Sequence, residues 1–500
     1  MNDLSTYPSV VPLLAILVSA ASVPLIGISA RRPNLREFWT LLAAGAKFAL
    51  VLSLLPSVLV SRAAETRLFQ ISPGIDLTLR ADPFGVFFAL IASGLWILTS
   101  FYSIGYVRGL KEKHQTRYFA SFALCLSATL GVAFAANLLT FVIFFEILTI
   151  ATYPLVIHKQ TPEAIAAGRK YLAFTLTAGV VLVAAMAATL QLTGTLEFQA
   201  GGLRALEDLS PVEVKILFGM FLAGVGVKAA IMPLHAWLPA AMAAPTPVSA
   251  LLHAVAVVKS GVFGVFRVVG FVFGPETLSR YGLNEVMLWL AGSTILLASC
   301  LAFSEDNLKR RLAYSTVGHL SYVVLGAGLL SPSGLIGGLL HIANHATMKI
   351  VLFFCAGAIY VNAHKEKISE LDGIGRAMPW TMGAFALASL GLAGVPPVNG
   401  FVSKWYLGLG ALEAGSVAVA AILLISGLLN AGYFVPIVYR AFFKQSENFR
   451  SIGEASAWMV APLILAAGLS VLLGLMPDRF FHFFTLAQQI AAQVLEASIP

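Results

Sequence analysis

Charge is scarce in this sequence. Only 11% of its 500 residues are charged and 58% are hydrophobic, where a soluble domain carries roughly 25% charged residues. Such a chain cannot cover itself with polar surface, so lipid is the solvent for most of it. The formal net charge of +8 would suggest nucleic acid in a soluble protein. Here the basic residues sit in short loops between apolar runs, which excludes that reading and makes them topology signals. Cysteine is scarcer still. Cys125, Cys300 and Cys355 stand alone within apolar runs, with neither the spacing of a metal site nor a basis for a disulfide. There is no nucleotide-binding loop, no iron–sulfur cysteine pattern and no flavin signature, so this chain is expected to hold no cofactor and to catalyse no redox step by itself. A basic region before the first apolar stretch is also missing. Arg31 and Arg32 follow that stretch instead, the pattern of a retained first span and not of a cleaved signal peptide.

What the sequence has is long apolar runs of about 20 residues, enough to cross a bilayer. They fall near 8–29, 38–60, 83–106, 117–135, 138–157, 169–191, 213–232, 246–272, 285–303, 308–330, 334–362, 378–405, 412–440 and 456–477. The expectation is an all-α membrane protein of about fourteen transmembrane helices. The tail from Asp478 to Pro500 alternates aromatic and polar residues and reads as interfacial. Loops after the odd-numbered runs hold nineteen of the Lys and Arg residues, against seven on the other side, termini included. The positive-inside rule then places both termini outside a bacterial or archaeal cell membrane.

Six basic residues lie inside runs instead: Lys47, Lys228, Lys259, Arg267, Lys349 and Lys404. Among the acids, only Glu146 sits deep. A charge at the bilayer centre costs roughly 2.5–3.5 kcal/mol, so Glu146, Lys228, Lys259, Lys349 and Lys404 would together cost about 12–18 kcal/mol if they faced lipid. That rivals the net stability of a typical domain, about 5–15 kcal/mol. They must face a hydrated or mutually paired interior. Lysine suits proton transfer because burial moves its pKa readily, and Glu146 is the one deep acid able to move that of Lys228 back up. A static ion pair between two helices is the plainer alternative. Arg267, near the end of its run, is expected to snorkel, and Lys47 has no assigned role.

In LLHIANHATMKIVLFF, His341, His345 and Lys349 are spaced four apart and share one helical stripe about 12 Å long. Joined by water, such a stripe relays protons, and histidine titrates in the suitable range. Satisfied core histidines and metal or haem ligation are the competing readings, but a third metal ligand is not evident and no metal is expected. His253, His319 and His235 are candidates to extend the relay. Two breaks complete the pattern. GVKAAIMPLHAWLP interrupts the seventh run at Pro233, and GLAGVPPVNGFVSKW interrupts the twelfth at Pro396 and Pro397. Matching breaks in two halves, each near a buried lysine, point to inverted repeats with the ion path at mid-membrane.

FFEILTIATYPLV, VKAAIMPLHAWLPAAMAAPTPVSALLHAVAVVKSGVF, LKRRLAYSTVGHLSYV, HIANHATMKIVLFFCAG and GVPPVNGFVSKWYL together resemble the antiporter-like subunits shared by respiratory complex I, membrane-bound hydrogenases and Mrp-type cation/proton antiporters. The likeness covers residues 83–440 and is nearest to the D-type Mrp subunit. It implies fourteen helices, with a three-helix segment at 1–116, inverted five-helix repeats at 117–272 and 285–440, and a last helix and tail at 441–500. The seventh and twelfth helices would be broken. It implies that Glu146 and Lys228 form a modulating pair, Lys259 and Lys349 a central relay, and Lys404 the terminal proton site. Other membrane subunits, H+, Na+ and lipid are the implied partners, with no nucleic acid. Two positions depart from the family pattern: Ala240 stands where many relatives have an acid, and Lys404 where one branch has glutamate. The competing functional class is a stand-alone secondary transporter of a small solute, followed by a haem-anchoring subunit.

Overall fold

The computed structural model describes residues 4–72, 74–445, 449 and 452–496. The described residues are mostly helical, and several of the helices start on a capping side chain or a proline. α1 (Val11–Ile28) and α2 (Pro33–Leu59) form an antiparallel pair, then α3 (Pro83–Gly109) and α4 (Gln115–Ala133) pack beside them. α5 (Leu138–Val156) and α6 (Pro162–Thr193) follow. Asp82, Asn137 and Thr161 cap α3, α5 and α6 by accepting from backbone N–H groups three residues on, which satisfies donors that lipid could not. α7 (Pro211–Lys228) opens on a capping box between Ser210 and Glu213.

Beyond α7 the chain leaves the helix, returns for one turn at α8 (Trp237–Ala240), and enters a 35-residue helical rod, Thr246–Arg280. The rod comprises α9 (Thr246–Ala250), α10 (Val257–Val268) and α11 (Gly274–Arg280), separated by π turns at Leu251–Val255 and Val269–Phe273. α12 (Leu283–Ser304), α13 (Leu308–Gly328) and α14 (Pro332–Ala363) come next. After the single turn α15 (Ile374–Ala377), α16 (Pro379–Ala393) and α17 (Gly400–Glu413) make a second broken helix. α18 (Val417–Phe443), α19 (Ala457–Leu475) and the tail helix α20 (Phe483–Glu496) close the fold. Eleven helical stretches among the described residues are long and apolar enough to cross a membrane. The three remaining runs contain α7 with its charges, α13 with its basic start, and the broken α16–α17.

Two features differ from the sequence expectation. A small sheet pairs β1 (Ser5–Pro8) parallel to β2 (Arg62–Ser72), and β2 antiparallel to β3 (Ile75–Ala81). Arg80 spans its rim, 2.8 Å from Glu65 and 3.7 Å from Glu197, and burial pushes the Glu197 carboxyl up from its usual range. α6 starts earlier than its apolar run because Thr161 and Pro162 supply the cap and first turn. The tail forms an amphipathic helix. Its apolar side, Leu486, Ala487 and Ile490, is buried, and it packs on α3 and α14.

α14 is the axis of the molecule. It touches α13, α16, α17, α19, α20, α3 and the rod, and every residue from Gly337 to Ile359 is buried. The polar stripe in the sequence therefore has no lipid in front of it.

Candidate functional site

Glu146 lies on α5 facing Gly179 of α6. A side chain at that glycine would come within 2.6 Å of the carboxylate carbon, so the absence of one is what makes room for the acid. Lys228 ends α7 and is 1% exposed. Its Nζ sits 3.5 Å from the centre of the Phe145 ring and donates to the Phe145 carbonyl. The expected partners are thus neighbours in the fold, but they form no ion pair of 4.0 Å or less among the described residues; Glu146 Oε1 is buried without a hydrogen-bond partner.

The end of α7 and the start of α10 approach each other at Gly261, where a Cβ would fall 2.2 Å from the Ala229 nitrogen. Lys259, two residues earlier, is thereby held close to the first break. Trp237 Nε1 donates to the Val227 carbonyl at 2.7 Å, and Lys309 of α13 donates to the carbonyls of Met242 and Ala244 at 2.7 and 2.6 Å. The freed backbone of the break is satisfied from inside the protein, as membrane depth requires. Ala240 brings no carboxylate here.

Lys259 is fully buried and its Nζ lies 2.8 Å from His345 Nδ1. With Lys259 as an ammonium, which can only donate, His345 Nδ1 accepts and its proton sits on Nε2. His345 stacks on His319 with ring centres 5.4 Å apart. His319 Nδ1 is 3.1 Å from His341 Nε2, and His341 Nδ1 is 2.8 Å from Ser403 Oγ of α17. Because Ser403 donates to the Gly400 carbonyl, it accepts from His341, and His341 Nε2 accepts from His319. His345 Nε2 and His319 Nε2 are then a buried donor and a buried acceptor, neither with a partner in the protein.

Lys349 donates to Ser315 Oγ at 2.9 Å and to the Leu312 carbonyl at 3.2 Å, both on α13. Lys404 turns inward. Its Nζ lies 2.7 Å from the Leu392 carbonyl and 3.1 Å from that of Ala393, the last residues of α16. Those carbonyls are the negative end of a half-helix and suit a cation. The second break is braced by Asn399, whose amide donates to Thr347 at 2.9 Å while its carbonyl accepts from Asn344 at 2.8 Å.

Not every candidate joins this chain. Both ring nitrogens of His253 are buried without a partner, and the ring lies 4.8 Å from that of Phe353. His235 is half-buried in the first break, 6.3 Å from the Tyr314 ring. Among the described residues no hydrogen bond links Lys228 to Lys259. Arg267 does not snorkel: it is 1% exposed and grips Asp82 at 2.7 and 2.8 Å amid Phe84, Phe198, Phe263 and Phe271. The reason is that Asp82, at the start of α3, offers a fork-shaped acceptor. Lys47 is fully buried between α2, α3 and α4, donating to the Leu126 carbonyl at 2.8 Å and 5.3 Å from the Trp96 ring.

Sequence reasoning missed Ser403, Ser315, Tyr433 and Asn430. They are uncharged, and single hydroxyls and amides in apolar helices are too common to stand out.

A polytopic helical membrane protein with two broken helices flanking a buried row of lysines and histidines is the class that this geometry defines. Residues 135–430 match the NADH:quinone oxidoreductase/Mrp antiporter transmembrane family, and the chain belongs to it. The chain is 32% identical to NADH-quinone oxidoreductase subunit N of Desulforudis audaxviator, over 85% of each chain. It is 26% identical to the D-type subunit of the Na(+)/H(+) antiporter of Alkalihalophilus pseudofirmus, over 85% of this chain and 84% of that one. A chain in the structure of the Mrp complex from Dietzia sp. DQ12-45-1b shares the fold with a TM-score of 0.86 at 21% identity, covering 98% of both.

Proposed function

We propose that the chain is the proton-translocating, antiporter-like subunit of a multisubunit membrane complex, passing H+ along Glu146, Lys228, Lys259, His345, His319, His341, Lys349 and Lys404. The observation that carries this reading is the enclosure of Lys259, Lys349 and three histidines on and around α14, each with a proton-transfer partner within 3.1 Å. A single water between His345 Nε2 and His319 Nε2 would complete the histidine row from Lys259 to Ser403. Partner subunits supply the driving force, an ion gradient in an Mrp-type assembly or electron transfer in a quinone- or hydrogenase-type one; the relatives include both kinds. Lys349→Met in the native complex, reconstituted in vesicles with a pH-sensitive dye, is expected to abolish proton uptake with assembly intact. Uptake at the parent rate would end the proposal.

Inverted repeats spanning 117–272 and 285–440 belong to the same reading. α5 and α13 both begin with an asparagine cap, Asn137 and Asn307. Each asparagine also forms an isolated bridge, to Glu197 and to Lys367 respectively, at the same sequence separation. With five helical passes between the caps, the repeated device falls at opposite faces of the membrane, as inversion demands. Fourteen crossings put both termini on one side, and the basic-residue bias makes that side the outer one. Single cysteines at Ser5 and Glu112 test the orientation. An impermeant maleimide applied to intact cells is expected to label the first and spare the second; the reverse pattern would invert the assignment.

A further inference from the structure

Lys404 stands apart from both hydrogen-bonded rows. The histidine row ends on Ser403, whose hydroxyl hydrogen goes to the Gly400 carbonyl and not to Lys404. The other row begins at Lys349 and runs through three side chains that are each no more than 2% exposed: Ser315, Tyr433 and Asn430. Lys349 Nζ is 2.9 Å from Ser315 Oγ, which is 3.1 Å from Tyr433 Oη. Tyr433 Oη also contacts Asn430 Oδ1. Asn430 Nδ2 donates at 3.3 Å to the Leu392 carbonyl, the same oxygen that holds Lys404.

The directions open to each bond follow from the inventory of hydrogens. A tyrosine hydroxyl has one hydrogen, and Tyr433 Oη can donate it to Ser315 Oγ or to the amide oxygen of Asn430, both of which accept from it. Ser315 also accepts from Lys349. With the Tyr433 hydrogen on Asn430, a turn of the Ser315 hydroxyl toward Tyr433 Oη opens the row from Lys349 to Tyr433. It then meets an amide, which passes a proton on only through a costly imidic tautomer. One side chain blocks the route, and the same side chain occupies the carbonyl beside Lys404.

We propose that Tyr433 is the proton-transfer residue between Lys349 and Lys404, and that Asn430 is the gate that withholds its hydrogen. This rests on the proton-translocating reading above and adds the path within it. When the Asn430 amide swings aside, neutral Lys404 takes the hydrogen of Tyr433. Tyr433 takes that of Ser315, and Ser315 takes one from the Lys349 ammonium. One proton has moved, Lys349 is left as an amine, Lys404 has become an ammonium, and the two hydroxyls are restored.

The test uses the complete native complex in proteoliposomes, with Lys349→Met as the reference. Tyr433→Phe keeps the ring and its contact with Phe434 but removes the relay atom, and it should slow proton uptake about a hundredfold. Fluorinated tyrosines placed at 433 alter phenol acidity with little change of shape, so the rate should follow that acidity. Asn430→Ala should raise the passive proton leak down an imposed pH gradient several-fold, because the gate is gone. If Lys349→Met leaves uptake intact, the function itself is misassigned. If Lys349→Met stops uptake while Tyr433→Phe runs at the parent rate, the path is overturned and the function stands. A loss in Tyr433→Phe with no dependence on fluorination would make Tyr433 a packing residue and overturn the path equally.

Discussion

Lys228→Ala is expected to stop proton uptake by proteoliposomes containing the whole complex, and Glu146→Ala to do the same, while both variants assemble. A positioned proton carrier contributes about 10²–10⁴-fold, so the loss should bring the rate to that of empty vesicles. The reasoning lies in the arrangement around α7. Lys228 has exchanged water for one backbone carbonyl and the face of Phe145, which stabilises an ammonium far less than a carboxylate would. At 4 Å and an effective dielectric of 20 an opposite charge is worth about 4 kcal/mol. Closing the gap to Glu146 would therefore favour the charged lysine and opening it the neutral one. Glu146→Gln keeps the shape and removes that lever, so it should fail as Glu146→Ala does. Uptake at the parent rate in Glu146→Gln would show that the acid acts only through packing.

The second large effect concerns stability. Arg267→Met should leave the Asp82 carboxylate buried against aromatic rings without its partner, and breaking a buried pair in this way costs about 3–5 kcal/mol. Thermal unfolding of the complex in detergent should show a clear fall in midpoint and a loss of yield. Asp82→Asn should also destabilise, since it strands the guanidinium, although asparagine can still cap α3. The double variant Asp82→Asn/Arg267→Met should recover part of the loss, because neither charge is then left alone. Additive losses in the double variant would mean that the two groups act independently and that the pair is incidental.

Much of the candidate site is legible in the sequence because its members break the rule of their surroundings. A lysine in an apolar run is conspicuous, as is a proline-rich break in the middle of one, and Lys228, Lys259, Lys349 and Lys404 with the two breaks stand out on those grounds. The spacing of His341, His345 and Lys349 places them on one face, and that face is the one turned toward α13 and α17. What spacing cannot show is contact between distant segments. Arg267 and Asp82 are far apart in the chain, and nothing near Arg267 announces an acid, so snorkelling is the natural expectation from sequence. Glu146 and Lys228 are recognisable as a pair, yet the placement of the Phe145 ring and carbonyl against Lys228 is visible only in the fold. His253 looks equal to the other histidines in the sequence, but the π turn at Leu251–Val255 directs it beside Phe353. The sheet escapes notice because its strands lie in the loops between apolar runs, where attention to span length sees only connectors.

The brace at Asn399 leaves α17 attached to two things at once. Ser403 meets the histidine row, and the adjacent Lys404 meets the stump of α16, so two neighbouring residues on one stiff rod hold contacts on different partners. A tilt of that rod about the proline break would load both contacts together, as a single lever works two latches. Release at one latch without the other would require the rod itself to bend, so the two contacts are tied to each other by mechanics alone, with no signal passed between them.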